Sequence, residues 1–455
     1  MTMTKAIAIA MSLLLADGAV ATAKHPFNAD DLHRLQDVSA PSLSPDGQWL
    51  AYAVGHHNMD ADKAISDLWR VSFDGKRREQ LTFSKTSSNT LPQWSPDGRW
   101  LVFLSDRDSD DETTQVWLMP RDGGEARKLS ELKGGVSDFT WAPDSRQLAL
   151  IASDDPGDAI VAPVDGKKEE RKTAKPIVID RYQFKNDTTG YLTHQRSHPY
   201  AFDIDARRAT LLTPGDHDEW APDGRNIVYA TKRGVDPDRH LNSDLYLVEP
   251  HAGATECQLT TFQGSDLDPY WESRPSWSPD SHQVAYLRSG EDHWIYYAPW
   301  QLPVVDVVSG KERIPAPIDR CFTKPKWSAD GKSVYALIEE SRNTFLSRIE
   351  LDNGKVEHLT SGSRFDVDFD VSGGRIAVLT GDDTHPPELF ALDHGLRPLS
   401  RQNDKLLDEV QFQPAEDIGF KSNDGTQIDG FLMKPVGYEA GKTYPTVLDL
   451  HGGPV

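Results

Sequence analysis

Trp94-Ser95-Pro96-Asp97-Gly98-Arg99-Trp100-Leu101-Val102-Phe103 is a turn followed by a buried strand, and its recurrence along the chain decides the fold. Proline presets φ for the first corner, aspartate can bond back to the backbone, and glycine accepts the positive φ that closes the turn. The β-branched and aromatic run that follows, Leu101 to Leu104, reads as a strand. The same pattern stands at Leu43-Ser44-Pro45-Asp46-Gly47, Trp141-Ala142-Pro143-Asp144-Ser145, Trp220-Ala221-Pro222-Asp223-Gly224, Trp277-Ser278-Pro279-Asp280-Ser281 and Trp327-Ser328-Ala329-Asp330-Gly331. A degenerate copy ends at Gly373-Gly374.

The glycine position, or the serine that replaces it, recurs from 47 to 374 in steps of roughly 55 residues, the spacing of propeller blades. Each unit carries a further strand ending in a turn, as in Asp67 to Gly75 and Glu388 to Asp393. One four-stranded blade cannot bury both of its faces, so stacking units side by side supplies the core. The expected architecture is an all-β, seven-bladed β-propeller with TolB/WD40-like repeats, in which the Trp and Pro-Asp-Gly residues are structural. The step from Ser145 to Gly224 is longer than the rest; it holds a charged loop near 153–175 and then an extra hairpin from Asp180 to Tyr191. Ahead of the first repeat, Asn28 is placed to cap a short helix over 29–35, with Asp30 and Asp31 favourable to its dipole.

Composition narrows the function. The 455 residues carry a formal net charge of −22 and 37% hydrophobic residues. So acidic a surface repels phosphate backbones, and blocks such as Lys167-Lys168-Glu169-Glu170-Arg171-Lys172 mix both signs, so nucleic acid is not an expected partner. Two cysteines, Cys257 and Cys321, exclude a disulfide scaffold and a four-cysteine zinc site, while one bridge between them stays open. The histidine groups His56-His57, His194 with His198, and His217 beside Asp218 read as loop histidines rather than metal ligands, and no spacing singles out a carboxylate pair for glycoside hydrolysis. No cofactor or metal is expected. Lys5, the apolar run Ala6 to Leu15 and the Ala21-Thr22-Ala23 site form a secretory signal too short to span a bilayer, with cleavage expected after Ala23. The expected product is periplasmic or secreted, without membrane insertion.

Past residue 412 the pattern changes. Glu416 to Pro435 reads as a hairpin around Asn423-Asp424-Gly425, and Tyr444 to Leu450 reads as an apolar strand running into His451-Gly452-Gly453-Pro454. Such a strand entering His-Gly-Gly is the approach to an oxyanion hole in α/β-hydrolases. The repeats, the Asp424-Gly425-Thr426 hairpin, the Lys434-Pro435 step and the Tyr444-Pro445 strand into His451-Gly452-Gly453-Pro454 together resemble the prolyl oligopeptidase (S9) family of serine peptidases. The likeness is to its bacterial dipeptidyl-peptidase and acylaminoacyl-peptidase branch.

The resemblance implies a propeller set as a lid over an α/β-hydrolase domain that cleaves short peptides near their N-termini. It divides the chain into a signal peptide (1–23), a helical linker (24–40), the propeller (41–412) and the first strands of the hydrolase domain (413–455). By the same resemblance Gly453 supplies the oxyanion N–H and Gly452 permits close approach. Dipeptidyl members hold the substrate amine with propeller carboxylates; the candidates are Glu272, Glu339 and Glu340. The nucleophile belongs in a Gly-x-Ser-x-Gly elbow, yet Gly135-Val136-Ser137, Gly331-Lys332-Ser333 and Gly362-Ser363 all lack the closing glycine. The triad Ser, Asp and His is therefore expected to be missing from these residues, and without it no acyl-enzyme forms. The alternative expectation is a non-catalytic, TolB-like periplasmic propeller acting as a binding or adaptor module.

Overall fold

The computed structural model describes residues 24–109, 113–153, 179, 181–186, 190–192, 196–213, 224–233, 236–268, 270, 273–295 and 297–449. The expected signal peptide and the charged loop near 153–175 lie almost wholly outside them.

Antiparallel meanders follow one another along the chain. The first sheet orders Asp37–Leu43, Trp49–Asn58, Lys63–Ser72 and Arg78–Gln80. Four-stranded sheets of the same order occupy 89–128, 136–211 and 276–313, and a three-stranded one occupies 227–258. An eight-stranded sheet covers 322–398; its two halves are meanders joined by a single parallel bridge, Thr344 to Phe365. The extra hairpin is present as Lys185–Asn186 paired with Gly190–Tyr191. The first sheet starts at Asp37, inside the stretch expected as linker, and the helix before it is one 3-10 segment, Ala29–Arg34, capped by Asn28 and Asp31.

The repeated turn closes as its residue types require. Ser44 Oγ donates to Asp46 Oδ1 (2.7 Å) and accepts from Trp49 N (2.9 Å), while Gln48 N donates to the same Asp46 oxygen (3.0 Å). The bonds recur at Ser95–Asp97, Ser278–Asp280 and Ser328–Asp330. All seven glycine positions are left-handed, including Ser145 at φ 59° and Ser281 at φ 60°, where a side chain is unfavourable. Trp94 Nε1 donates to Ser42 O (3.0 Å), Trp141 Nε1 to Gln93 O (3.4 Å) and Trp327 Nε1 to Ser276 O (2.8 Å). Each of these tryptophans thus reaches the residue just before the equivalent position of the preceding sheet, which turns a sequence repeat into a stack.

The first and last meanders also meet. Val38, Leu50 and Tyr52 share one buried cluster with Ala377, Leu389 and Ala391. Asp370 fastens this seam: it accepts from Leu43 N (2.6 Å) of the first sheet and from Lys326 Nζ (2.9 Å) of the 322–358 half. Among the described residues no strand of the first sheet comes from the C-terminal part of the chain, and the two meanders meet there through side chains rather than an exchanged strand. Outside the ring, His25–Pro26 pairs in parallel with Val410–Gln411, and Gln36 and Asn403 exchange two hydrogen bonds of 2.9 and 3.0 Å.

Strand direction sorts the connections onto two faces. The Ser-Pro-Asp-Gly turns and the third-to-fourth-strand turns such as Phe73 to Arg77 lie on one. Second-to-third-strand connections and the crossovers between sheets lie on the other. Because a meander of four strands ends where it began, the N-terminal segment enters, and residues 399–449 leave, on this second face.

Two readings of the tail diverge. Ala415–Lys421 pairs with Gln427–Met433 around Asp424-Gly425, as expected. The strand expected from Tyr444 to Leu450 is not formed over 444–449, which are irregular and almost entirely exposed; no strand among the described residues lies alongside to pair with it, and an extended segment without a ladder is not a strand.

Candidate functional site

Two places combine polar groups with access. The first is a cavity of about 500 Å³ lined by the first strands of several sheets, including Ala40, Leu91, Arg274, Lys324, Lys326, Asp368 and Asp370. Its wall is bulged. Ala40, Leu91 and Lys324 each precede a proline, each sit at a register shift, and have φ of 50°, 49° and 52°. A positive φ before proline is strained for a non-glycine residue, so the bulge is a repeated feature of the wall. Its charges are mutually satisfied: Lys324 pairs with Asp368 (3.0 Å), Lys326 with Asp370 (2.9 Å), and Arg274 with Asp138. Burial pushes the Asp138 carboxyl up to about 6 against the pull of Arg274. Paired in this way, the wall offers little net charge for a substrate to read.

The second place is the face where the chain enters and leaves. Glu339 and Glu340 end the strand Ser333–Glu340 there. Glu340 is engaged, 3.1 Å from His358 Nε2 and 3.7 Å from Arg320. Glu339 is exposed at the strand end and has no hydrogen bond or ion pair to its carboxylate among the described residues, and the protein packed to one side of it partly desolvates the carboxylate and raises its pKa above the ordinary glutamate value. Its backbone N–H donates to Cys321 O (3.1 Å), beside Phe322, whose N–H donates to Trp300 O (2.9 Å); the Trp300 ring meets Tyr270 edge-on at 5.7 Å. Close by, Arg342 bonds Asp383 (3.4 Å) and Asp417 (3.3 Å) and lies over the Phe431 ring at 5.7 Å, which docks the tail hairpin on this same face.

His358 Nδ1 lies 2.8 Å from Ser347 Oγ, so Ser347, His358 and Glu340 stand in the order of a catalytic relay. Ser347 is fully buried and also donates to Phe345 O (3.1 Å), so the serine is inaccessible to a substrate and the arrangement is a cross-strand hydrogen-bond chain. Of the other expected site residues, Glu272, Gly452 and Gly453 lie outside the described residues, as do His194, His217 and Asp218. His198 is buried in a strand. Cys257 and Cys321 are both free thiols.

A second repeat went unread in the sequence. Leu81-Thr82, Leu129-Ser130, Leu259-Thr260, Leu359-Thr360 and Leu399-Ser400 close their meanders, each hydroxyl accepting the N–H of a third-strand residue at 2.7–3.0 Å. The recurring Leu-Thr/Ser pair, its hydroxyl 11 to 15 residues beyond the third-strand residue whose N–H it accepts, is the signal that finds it.

A family model described as the TolB beta propeller domain matches residues 34–177. Peptidase YuxL of Bacillus subtilis is 27% identical over 95% of this chain and 67% of its own length. Dipeptidyl-peptidase 5 of Porphyromonas gingivalis is 26% identical over 92% of this chain and 62% of its own. Among solved structures, Pyrococcus horikoshii acylaminoacyl peptidase superposes with a TM-score of 0.72 at 19% identity, over 92% of this chain and 61% of that one. The β-propeller domain of the Trilobed protease of Pyrococcus furiosus, described as having an open velcro topology, gives 0.57 at 17% identity over 81% of this chain and 97% of that one. The chain thus spans about two thirds of the length of the peptidases it matches.

Proposed function

We propose, from the premise that this chain is a relative of the prolyl oligopeptidase (S9) serine peptidases on their dipeptidyl- and acylaminoacyl-peptidase side, that it supplies the gating and substrate-orienting part of an exported exopeptidase. In this reading residues 41–412, with the strand entry at Asp37, form seven blades, and 413–455 begin an α/β-hydrolase domain whose oxyanion hole uses Gly453 and Gly452. The triad belongs to sequence outside residues 1–455, since no Gly-x-Ser-x-Gly elbow occurs within them. Residues 1–23 direct export, and the substrates are short peptides.

The observation that carries the reading is the unpaired Glu339 on the face that also receives the tail hairpin. That hairpin exposes apolar side chains on both of its sides: Phe420 and Ile428 on one, Phe431 and Met433 on the other. A two-stranded sheet apolar on both faces is a piece of a buried sheet, which α/β domains cover with helices on each side. Glu339 then meets the substrate's α-ammonium, because a cation in a partly desolvated place needs an opposite charge. The test is Glu339→Gln in a protein that also carries the elbow. The expected result is a KM raised about tenfold or more for free-amine dipeptidyl substrates, with acyl-blocked substrates unaffected. Equal effects on both would overturn the assignment of Glu339.

A further inference from the structure

The Leu-Thr/Ser repeat contains an anomaly. Each hydroxyl accepts one backbone N–H and has one proton to give. In the first, second and last meanders it donates to the residue just before that N–H: Thr82 to Asp67 (2.7 Å), Ser130 to Gln115 (2.7 Å) and Ser400 to Glu388. The 322–358 half has Phe345 at that place, and Thr360 donates instead to Asp366, six residues downstream. The fourth meander carries acids at both places, Asp244 before Leu245 and Asp266 six residues after Thr260. The one hydroxyl, which accepts from Leu245 N (2.9 Å), lies close enough to Asp266 to lower its pKa and makes no hydrogen bond to Asp244. Two carboxylates thus compete for a single donor.

The surplus shows in the bonding. Asp266 Oδ2 and Asp244 Oδ1 are both buried and without a partner, in residues that are 0% and 7% exposed. Ser243 and Ser265 form a parallel bridge, and Asp266 N donates to Ser243 O (2.8 Å), so Asp244 and Asp266 follow the bridged pair as neighbours on adjacent strands. Around them stand Gln258, bonded to Asp244 Oδ2 (3.1 Å), and Arg288, bonded to Asp266 Oδ1 (2.7 Å) and to Glu312 (3.0 Å). Tyr286 bonds Glu312 (3.0 Å), and Tyr246, with Arg233 over its ring, faces Asp244. Three carboxylates face one near guanidinium, and no described group of three His, Cys, Asp or Glu side chains is arranged to hold a metal. A buried carboxylate without a donor is costly, and a carboxyl proton given by one acid to the other removes that cost.

We infer that Asp244 and Asp266 hold one proton between them at neutral pH and act as a pH-sensitive latch joining the fourth and fifth sheets. The proton bonds the two acids, Asp266 holds Arg288 of the fifth sheet, and the crossover at 259–268 stays fastened. Loss of the proton sets two buried anions side by side and loosens this crossover, which lies on the face that bears Glu339. In agreement, desolvation with the nearby Asp266 charge pushes Asp244 up to about 7, and burial raises Asp266. The sign follows: acids with raised folded-state values stabilise the fold at low pH, and that stability is lost as pH rises from the ordinary carboxylate range to about 7.

The test compares unfolding of the full chain with its Asp244→Asn variant from pH 5 to 9; the amide keeps the donor and cannot lose it. The wild-type unfolding constant is expected to climb with pH by up to about tenfold per unit for one proton and then level off. The variant lacks that component and equals or exceeds the wild type at pH 8. A variant with the wild-type pH dependence overturns the inference. Should the variant not fold, infrared spectra of an Asp138→Asn protein decide it, because the Asp138 carboxyl is itself pushed up to about 6: an un-ionised carboxyl band present at pH 6 and lost by pH 9 supports the latch, and its absence at pH 6 refutes it.

Discussion

On one face of the disc the described connections are short, from two to eight residues, and four of the five-residue turns are fastened by a serine hydroxyl, an aspartate and a left-handed residue. On the other, the connections vary more widely in length, from the two residues Ser341-Arg342 upward, and the described chain both enters and leaves there. The acids differ accordingly. Asp74, held by the Ser72 hydroxyl and the Lys76 amide, lies at about 2, while Glu339 and Asp244 are pushed above their ordinary values. The tight face uses its polar groups to finish local hydrogen bonds; the long-loop face leaves some of them unspent. Unspent polar groups are where binding chemistry resides, so the contrast locates function.

Substitutions in the two regions break or sharpen this contrast. Trp94 is buried and bonded to the preceding sheet, so Trp94→Ala is expected to cost about 3–5 kcal/mol in denaturant unfolding. Glu340→Ala on the long-loop face is expected to stay within about 0.5 kcal/mol, and comparable losses at both sites would erase the distinction. Ser44→Ala removes a buried donor and acceptor from the first turn and is expected to cost about 1–2 kcal/mol by the same measurement. Ser281→Gly relieves a left-handed serine and is expected to stabilise by up to about 1 kcal/mol. Ser145→Gly gains less, because Ser145 Oγ also accepts from Asp97 N (3.0 Å). The smallest effect is in acid: Asp74 is expected to titrate near 2 by carboxyl NMR, so its contribution, complete above the ordinary carboxylate range, declines as pH falls from that range to about 2. Titration of Asp74 at the ordinary value near 4 would contradict the turn's bonding.

How much of this was legible follows from where each signal sits along the chain. The Ser-Pro-Asp-Gly turn is written in consecutive residues with conformations few other types accept, so the meanders and the Asp424-Gly425 hairpin could be read directly. The Leu-Thr/Ser closures were written as plainly but use common residue types, and their acid partners lie about fifteen residues before the hydroxyl or six after it. The bulges at Ala40, Leu91 and Lys324 could not be read, since a residue before proline ordinarily avoids positive φ. Nor could the engagement of Glu340 and the freedom of Glu339: the two are adjacent in sequence, and only the strand's alternation turns one toward His358. The Tyr444 segment shows the limit of an apolar run, which becomes a strand only when a neighbour supplies its ladder.

Hydrogen exchange measures the central claim most directly, by comparing residues 24–455 alone with the same residues inside a longer protein carrying a Gly-x-Ser-x-Gly elbow. The account predicts added protection at 338–343, 383–384 and 415–433, with the turns at 44–48, 95–99 and 328–332 unchanged. Protection gained at those turns instead, or at neither face, would contradict the assignment of the long-loop face as the one that meets the catalytic domain and its peptide.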